Sequence, residues 1–341
     1  MKSSTPGRMI RSSLVIFFLL FSLFLKFNTA LTQPSSVSND PVNNCYDLSG
    51  HSVSFIETEP GVSLEVLDWG GTGEYLVLLT GLGDNAHVFD NFAYQFTDLF
   101  HVIGITRRGF GKSSKPEDGY DEATRVRDYI SILDKLNISK AMFAGHSIAC
   151  GELNYLGTHY QDRVAKLVYL DGLDYGEHKF LKQPPGPEFT DADLVSLDHF
   201  IAVCDRYFGF REPNAAYCNT YSTDNSGKVI DAVSPPEVTA KIIASSVITD
   251  YSLITAPVLG IFEVWTMQTR LPYYHYLDSE KQSEYDSSWK PLFDWRAKEL
   301  ERFRTEIKNS RVIEMDNFYH YVFINRESET AGEMRKFLTE R

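Results

Sequence analysis

Short apolar runs alternate along most of this chain with stretches in which apolar residues recur at helical spacing. Residues 74–80 (Glu-Tyr-Leu-Val-Leu-Leu-Thr), 101–106, 164–170, 256–262 and 311–315 are brief and nearly continuously apolar, the pattern of strands buried on both faces of a parallel sheet. Between them Ala123, Val126, Ile130, Leu133 and Leu136 repeat at helical period, as do Leu153, Leu156 and Tyr160. Further on, Leu292, Phe293, Leu300, Phe303 and Ile307 form a stripe for which Pro291 suits the first helical turn, and Ala331, Met334, Phe337 and Leu338 form a last helix. Strand and helix in alternation predict an α/β fold in which right-handed crossovers build a mostly parallel central sheet flanked by helices.

One joint of this pattern carries chemistry. Another apolar run ends at Gly145-His146-Ser147-Ile148-Ala149, immediately before the stripe that starts near Leu153. On a tight strand-to-helix turn a serine hydroxyl stands clear of its neighbours, and the N–H of the next residue, Ile148, points to where an acyl oxyanion would form. Upstream, the run at 74–80 ends in Gly81-Leu82-Gly83-Asp84, and the run at 101–106 leads into Arg107-Arg108-Gly109-Phe110-Gly111-Lys112-Ser113. Downstream, the final strand is followed by Asn317-Phe318-Tyr319-His320.

In their order, these four motifs over about residues 50 to 341 resemble the α/β-hydrolase family. The second glycine of the family's Gly-x-Ser-x-Gly elbow is Ala149 here, so a methyl group must fit where the family normally has none. The resemblance implies Ser147 as nucleophile, His320 as its base, and the N–H groups of Leu82 and Ile148 as the oxyanion hole, with no cofactor. The carboxylate that orients the histidine is less regular. Most relatives place it just after the strand read here at 256–262, where only Glu263 offers an acid; some lipases place it after the preceding strand, where Asp171 stands. Asp171 is the expected acid, with Glu263 and then Asp174 as alternatives.

Residues 172–250 lose the strand and helix rhythm and hold six prolines, from Pro184 to Pro236. On the family's plan they read as an inserted helical lid between two halves of the core, 50–171 and 251–341. Its aromatics, Phe200, Tyr207, Phe208, Phe210, Tyr217 and Tyr221, would suit an apolar acyl or alcohol group. The segment 264–289 is either a second wall of the pocket or a surface loop.

Composition narrows the partners. The formal charge of −13 becomes −17 (29 basic against 46 acidic residues) once residues 1–30, with Lys2, Arg8, Arg11 and Lys26 and no acid, are set aside. That surface disfavours nucleic acid and anionic membrane. Residues 1–30, basic and then apolar from 14 to 25, read as a secretory signal peptide, followed by a flexible leader at 31–49. The expected location is secreted or periplasmic, with membrane attachment only if the segment stays uncleaved. Asn137-Ile138-Ser139 is a glycosylation sequon. Among four cysteines, Cys204 and Cys218 are the expected disulfide, Cys150 a buried small hydrophobe, and Cys45 unassigned. No Cys-x-x-Cys or His-x-x-x-His spacing occurs, so neither zinc nor another metal is expected.

The function that follows is a secreted serine hydrolase acting on small apolar carboxylic esters through an acyl-enzyme intermediate. The alternatives are a peptidase resembling prolyl aminopeptidases, with Glu188, Asp191, Asp193 or Asp198 holding a substrate amine, and a ligand-binding protein on the same fold.

Overall fold

The computed structural model describes residues 47–182, 189–316 and 319–340. The expected signal peptide, nearly all of the leader, Cys45, Glu188, Asn317 and Phe318 lie outside these residues. The described chain forms ten strands: β1 (Ser52–Glu59), β2 (Val62–Gly70), β3 (Tyr75–Leu79), β4 (His101–Ile105), β5 (Ala141–His146), β6 (Val164–Leu170), β7 (Tyr221–Thr223), β8 (Val229–Ala232), β9 (Val258–Glu263) and β10 (Ser310–Met315). Eight of them make one sheet in the order β1-β2-β4-β3-β5-β6-β9-β10. The six from β4 to β10 are parallel, and β1 and β2 add antiparallel at one edge.

The parallel strands are buried on both faces, which accounts for their continuous apolar sequence. Leu76 and Leu78 of β3 face one core, with Val168, Leu170, Leu259 and Ile261 of neighbouring strands. Val77 and Leu79 face the other, with Ile105, Phe143, Leu167 and Val258. The helices α1 (Glu122–Lys135) and α2 (Ala149–His159) cover the second face through Val126, Ile132, Leu133, Leu153 and Leu156. Helix α9 (Glu327–Thr339) covers the first through Met334, Phe337 and Leu338.

Three features differ from the reading of the sequence. The hairpin β1–β2 was not signalled, because β1 is largely exposed and lacks an apolar run. Pro291 does not begin a helix: it lies inside the 28-residue α7 (Ser279–Glu306). An interior proline gives up one backbone hydrogen bond, but this helix starts earlier because Asp278 caps it through the Lys281 N–H, and Tyr285 and Trp289 are buried on its first half. That half, with the short α6 (Met267–Arg270), occupies the segment 264–289.

The described residues of the 172–250 segment contribute nothing to the main sheet. They fold as α3 (Leu197–Phe208), α4 (Asn214–Thr220), the two-stranded ribbon β7–β8 and α5 (Pro236–Ser245). Phe200, Phe208, Phe210, Tyr217 and Tyr221 are buried in the core cluster they share with the sheet, whereas Tyr207 is 38% exposed. The side-chain amide of Asn85 donates to the Ala216 carbonyl (2.9 Å) and to Thr220 Oγ1 (3.0 Å), tying this segment to the loop after β3. Cys204 is a buried free thiol. The expected bridge to Cys218 is therefore not formed: Cys204 faces inward from α3, and Cys218 has another partner. Cys150 is likewise buried and free.

Candidate active site

The strand-end turns bring three distant side chains together. Ser147 follows β5 directly and has φ +54°, a left-handed conformation held where the strand turns into α2. Such a conformation costs a non-glycine residue about 1–3 kcal/mol, and the surroundings over-determine it. The Ser147 N–H donates to the Leu170 carbonyl (3.0 Å) and its carbonyl accepts from the Cys150 N–H (2.9 Å). A Cβ on Gly145 would meet Leu153 Cγ at 3.0 Å and Ala149 Cβ at 3.1 Å. Glycine at 145 thus makes the room for Ala149, the residue where the family's motif has its second glycine.

His320 Nε2 lies 2.9 Å from Ser147 Oγ, and its Nδ1 lies 2.7 Å from Asp171 Oδ2. With Asp171 ionised, Nδ1 carries the proton it donates, and Nε2 presents its lone pair to the serine hydroxyl. Asp171 stands just past β6 with φ +46°. Its second oxygen, Oδ1, accepts from Arg296 Nη2 (2.7 Å) and from the Glu263 backbone N–H (3.0 Å). Burial alone would push this carboxyl up, but Arg296, His320 and Arg270 outweigh it and hold Asp171 well below the usual carboxylate range. Burial lowers His320, to about 4, against the opposing pull of Asp171. The imidazole is neutral at neutral pH, the state a general base needs.

The alternative acids do not pair with His320. The Glu263 carboxylate lies within 4.8 Å of the Asp171 and His320 donor atoms but pairs through Oε2 with Arg270 Nη1 (2.7 Å), and only its backbone N–H bonds to Asp171. Burial raises its pKa to about 7. Asp174 accepts from the N–H groups of Gly176 and Thr249. Of the acids considered for holding an amine, Asp191 pairs with Lys228 (2.9 Å) and Asp193 accepts from Thr190 (2.8 and 2.6 Å), both at exposed positions, while Asp198 lies in the first turn of α3. Glu188 lies outside the described residues.

Leu82 and Ile148 share one small apolar cluster with Phe110, Tyr120, Val238 and Ile242, so the loop after β3 and the elbow meet beneath α5. Three contacts here had no signal in the sequence. Arg107, fully buried, donates to the carbonyls of Thr80 (2.7 Å) and Gly81 (3.0 Å) and pairs with Glu152 of α2 (2.6 Å), fastening the Leu82 loop to the helix behind Ser147. His146 donates from Nε2 to the His320 carbonyl (3.1 Å) and so holds the histidine loop. Tyr175 is half-buried beside Ser147. On the other side of the Leu82 loop, Asp84 and Glu212 line a small cavity with Tyr217, Tyr221 and Tyr321.

The family model of the alpha/beta hydrolase fold matches residues 74–209. The 2-(acetamidomethylene)succinate hydrolase of Mesorhizobium japonicum is 24% identical over 197 residues, 55% of this chain and 70% of that protein. The AB hydrolase superfamily protein YisY of Bacillus subtilis is 32% identical over 138 residues, 39% of this chain and 49% of that protein. The chain thus spans about half the length of that second relative. A solved E-2-(acetamidomethylene)succinate hydrolase superposes with a TM-score of 0.64 at 18% identity, covering 85% of this chain and 100% of the other. These matches show that the chain has the α/β-hydrolase fold, and residues 74–209 are similar to that family's model.

Proposed function

We propose that this protein is a serine hydrolase of small, neutral or apolar carboxylic esters. The observation that carries the reading is the relay from Ser147 Oγ through His320 to Asp171, at 2.9 and 2.7 Å. In the first half-reaction His320 Nε2 takes the Ser147 proton as Oγ attacks the ester carbonyl carbon. The carbonyl oxygen becomes an oxyanion held by the Leu82 and Ile148 N–H groups, and collapse expels the alcohol, which takes the proton from His320. Water then repeats the sequence on the acyl-enzyme, with His320 as base, and releases the acid. Asp171 stays ionised throughout and stabilises the imidazolium.

The apolar cluster of Phe110, Ile148, Val238 and Ile242 beside the nucleophile suits an uncharged acyl chain. An acidic chain of formal charge −13 also repels polyanions. Export fits the basic-then-apolar pattern of residues 1–30, and mass spectrometry of the mature N-terminus in the host's culture medium tests it. The enzymatic reading is tested by turnover of a panel of p-nitrophenyl esters and aminoacyl amides. The expected result is hydrolysis of short to medium acyl esters over aminoacyl amides by at least about tenfold in kcat/KM. A preference for the amides would favour the peptidase reading, and no turnover of either would favour the binding protein.

A further inference from the structure

A second cluster of polar side chains, separate from the serine relay, has the donor set and spacing of a metal centre. Asp47 and His51 lie on the segment that leads into β1, whereas His87 and Asp90 lie on the single 3₁₀ turn Ala86–Phe89 and at its end. His51 Nε2 is 3.0 Å from Asp47 Oδ2 and 3.3 Å from Asp90 Oδ1. His87 Nδ1 is 3.5 Å from Asp47 Oδ2 and 3.2 Å from Asp90 Oδ2. Zinc bound tetrahedrally at roughly 2.0–2.1 Å holds its donor atoms about 3.3 Å apart; the four separations lie near that value, with Asp90 offering Oδ1 to His51 and Oδ2 to His87, and one donor atom from each of the four residues lies within 4.8 Å of the others.

His87 Nδ1 and Asp90 Oδ2 are hydrogen-bonded at 3.2 Å, but the His51 side of the cluster is not satisfied in this way. Both ring nitrogens of His51 and the Oδ1 of Asp90 are buried and make no hydrogen bond, even though His51 Nε2 and Asp90 Oδ1 lie 3.3 Å apart. Donor atoms that approach so closely with the wrong angles for N–H···O are aimed at a shared centre rather than at each other. Burial makes the arrangement costly without a cation: the side chains of His51, His87 and Asp90 are 1%, 2% and 5% exposed. With both imidazoles neutral the four ligands carry a charge of −2, which one divalent ion cancels; without a metal, the neighbouring Asp90 and Glu65 carboxylates favour the protonated form of His87.

The surroundings orient the donors. The Ser49 N–H occupies Asp47 Oδ1 (3.0 Å) and leaves Oδ2 facing inward. Glu65 Oε1 lies 3.8 Å from the outer nitrogen of His87, too far for a hydrogen bond but close enough to favour a proton there, and Thr106 donates to the other Glu65 oxygen (2.9 Å). The His51 ring meets Trp69 edge-on at 5.6 Å. Asp171, Glu263 and His320 also lie close together, but Arg296 and Arg270 already occupy their carboxylates.

The geometry points to a structural zinc site formed by Asp47, His51, His87 and Asp90. Nitrogen and oxygen donors without sulfur suit zinc, and four protein ligands close the coordination sphere, as in a structural rather than a catalytic centre. The ion would clamp the segment before β1 onto the turn that follows the Leu82 loop. The expectation of no metal rested on local spacing, which cannot register two ligand pairs 36 positions apart in the chain.

The test is the zinc content of the full chain, purified without chelators and equilibrated with zinc, then desalted. About one zinc per chain is expected in the wild type and in His320→Gln, and below about 0.1 in His51→Gln and Asp90→Asn. Cobalt(II) loaded into the wild type should give the intense visible absorption of a tetrahedral ion, a readout that needs no variant to fold. Zinc should raise the melting temperature of the wild type and leave that of His51→Gln unchanged. A wild type that takes up no zinc, a cobalt spectrum of octahedral type, wild-type zinc content in His51→Gln and Asp90→Asn, or loss of zinc in His320→Gln would each overturn the assignment.

Discussion

Replacing Asp171 by asparagine removes one charge from the relay while keeping the shape of the side chain. Asp171 Oδ1 accepts from Arg296 Nη2 and the Glu263 N–H, so the amide oxygen is retained on that side and the NH₂ group turns toward His320. Facing an N–H donor at 2.7 Å, His320 Nδ1 must become the acceptor. The ring proton then moves to Nε2 and points at Ser147 Oγ, where a base can no longer take a proton. The loss of tautomer and imidazolium stabilisation corresponds to about 10⁴-fold in kcat, or roughly 5.5 kcal/mol of transition-state stabilisation. Removing one partner of a buried ion pair also leaves the Arg296 charge uncompensated and costs about 3–5 kcal/mol of stability. The assay is therefore kcat on a p-nitrophenyl ester well below the melting transition, with circular dichroism confirming the fold. Glu263→Gln is the control: it breaks the pair with Arg270 but leaves the Glu263 backbone N–H on Asp171, and it should cost less than about tenfold. Comparable losses in the two variants, or a loss below tenfold in a folded Asp171→Asn, would refute the assignment of the acid.

Three further outcomes follow from the same geometry. Because only neutral His320 accepts the serine proton and its pKa is lowered, kcat/KM should be flat near neutrality and fall with acid through a limb below pH 6.5; a limb above pH 7 in a pH-rate profile would contradict the burial of the imidazole. Burial and the neighbouring Asp84 raise Glu212 well above its ordinary value, so the folded protein binds a proton there that the unfolded chain releases above pH 4.5 and loses stability as pH rises; Glu212→Gln should flatten that dependence and raise the melting temperature at pH 8 by about 2–4 °C, and an unchanged melting curve would show that the carboxyl is not so perturbed. Arg107→Met should lower both stability and kcat, because it frees the carbonyls of Thr80 and Gly81 and leaves Glu152 with Arg125 as its one remaining cation beside the Tyr129 hydroxyl; Arg107→Lys should recover part of kcat, and full activity in the methionine variant would remove Arg107 as a positioning residue for the Leu82 loop.

The elements that carry the serine relay were legible because their signals are local. Buried parallel strands are continuous apolar runs, and Ser147, Asp171 and His320 each lie at or just beyond the end of one, so strand order alone brings them to one edge of the sheet. Long-range polar contacts were not legible. Nothing near Arg296 in the chain marks it as the partner of Asp171, 125 positions away, and nothing near Arg107 marks Glu152. The same holds for the Asp47 and His87 pairs. Cys204 misled because a short loop between cysteines favours a bridge on entropy, whereas the helical face of α3 turned its thiol into the core. Pro291 misled because its cost to a helix is fixed and modest beside the burial of Tyr285, Trp289, Leu292 and Trp295 on the same helix.

The central claim is that Ser147 is a nucleophile activated by His320. It is tested most directly by intact-mass and peptide mass spectrometry of the protein treated with a fluorophosphonate, which reports covalent bond formation at one atom without any assumption about substrate. The account predicts one phosphonyl group per chain at Ser147 in the wild type and none in Ser147→Ala, with labelling in His320→Gln slowed by roughly 10³-fold or more. A wild type that stays unlabelled, or a label that persists in Ser147→Ala, would contradict it.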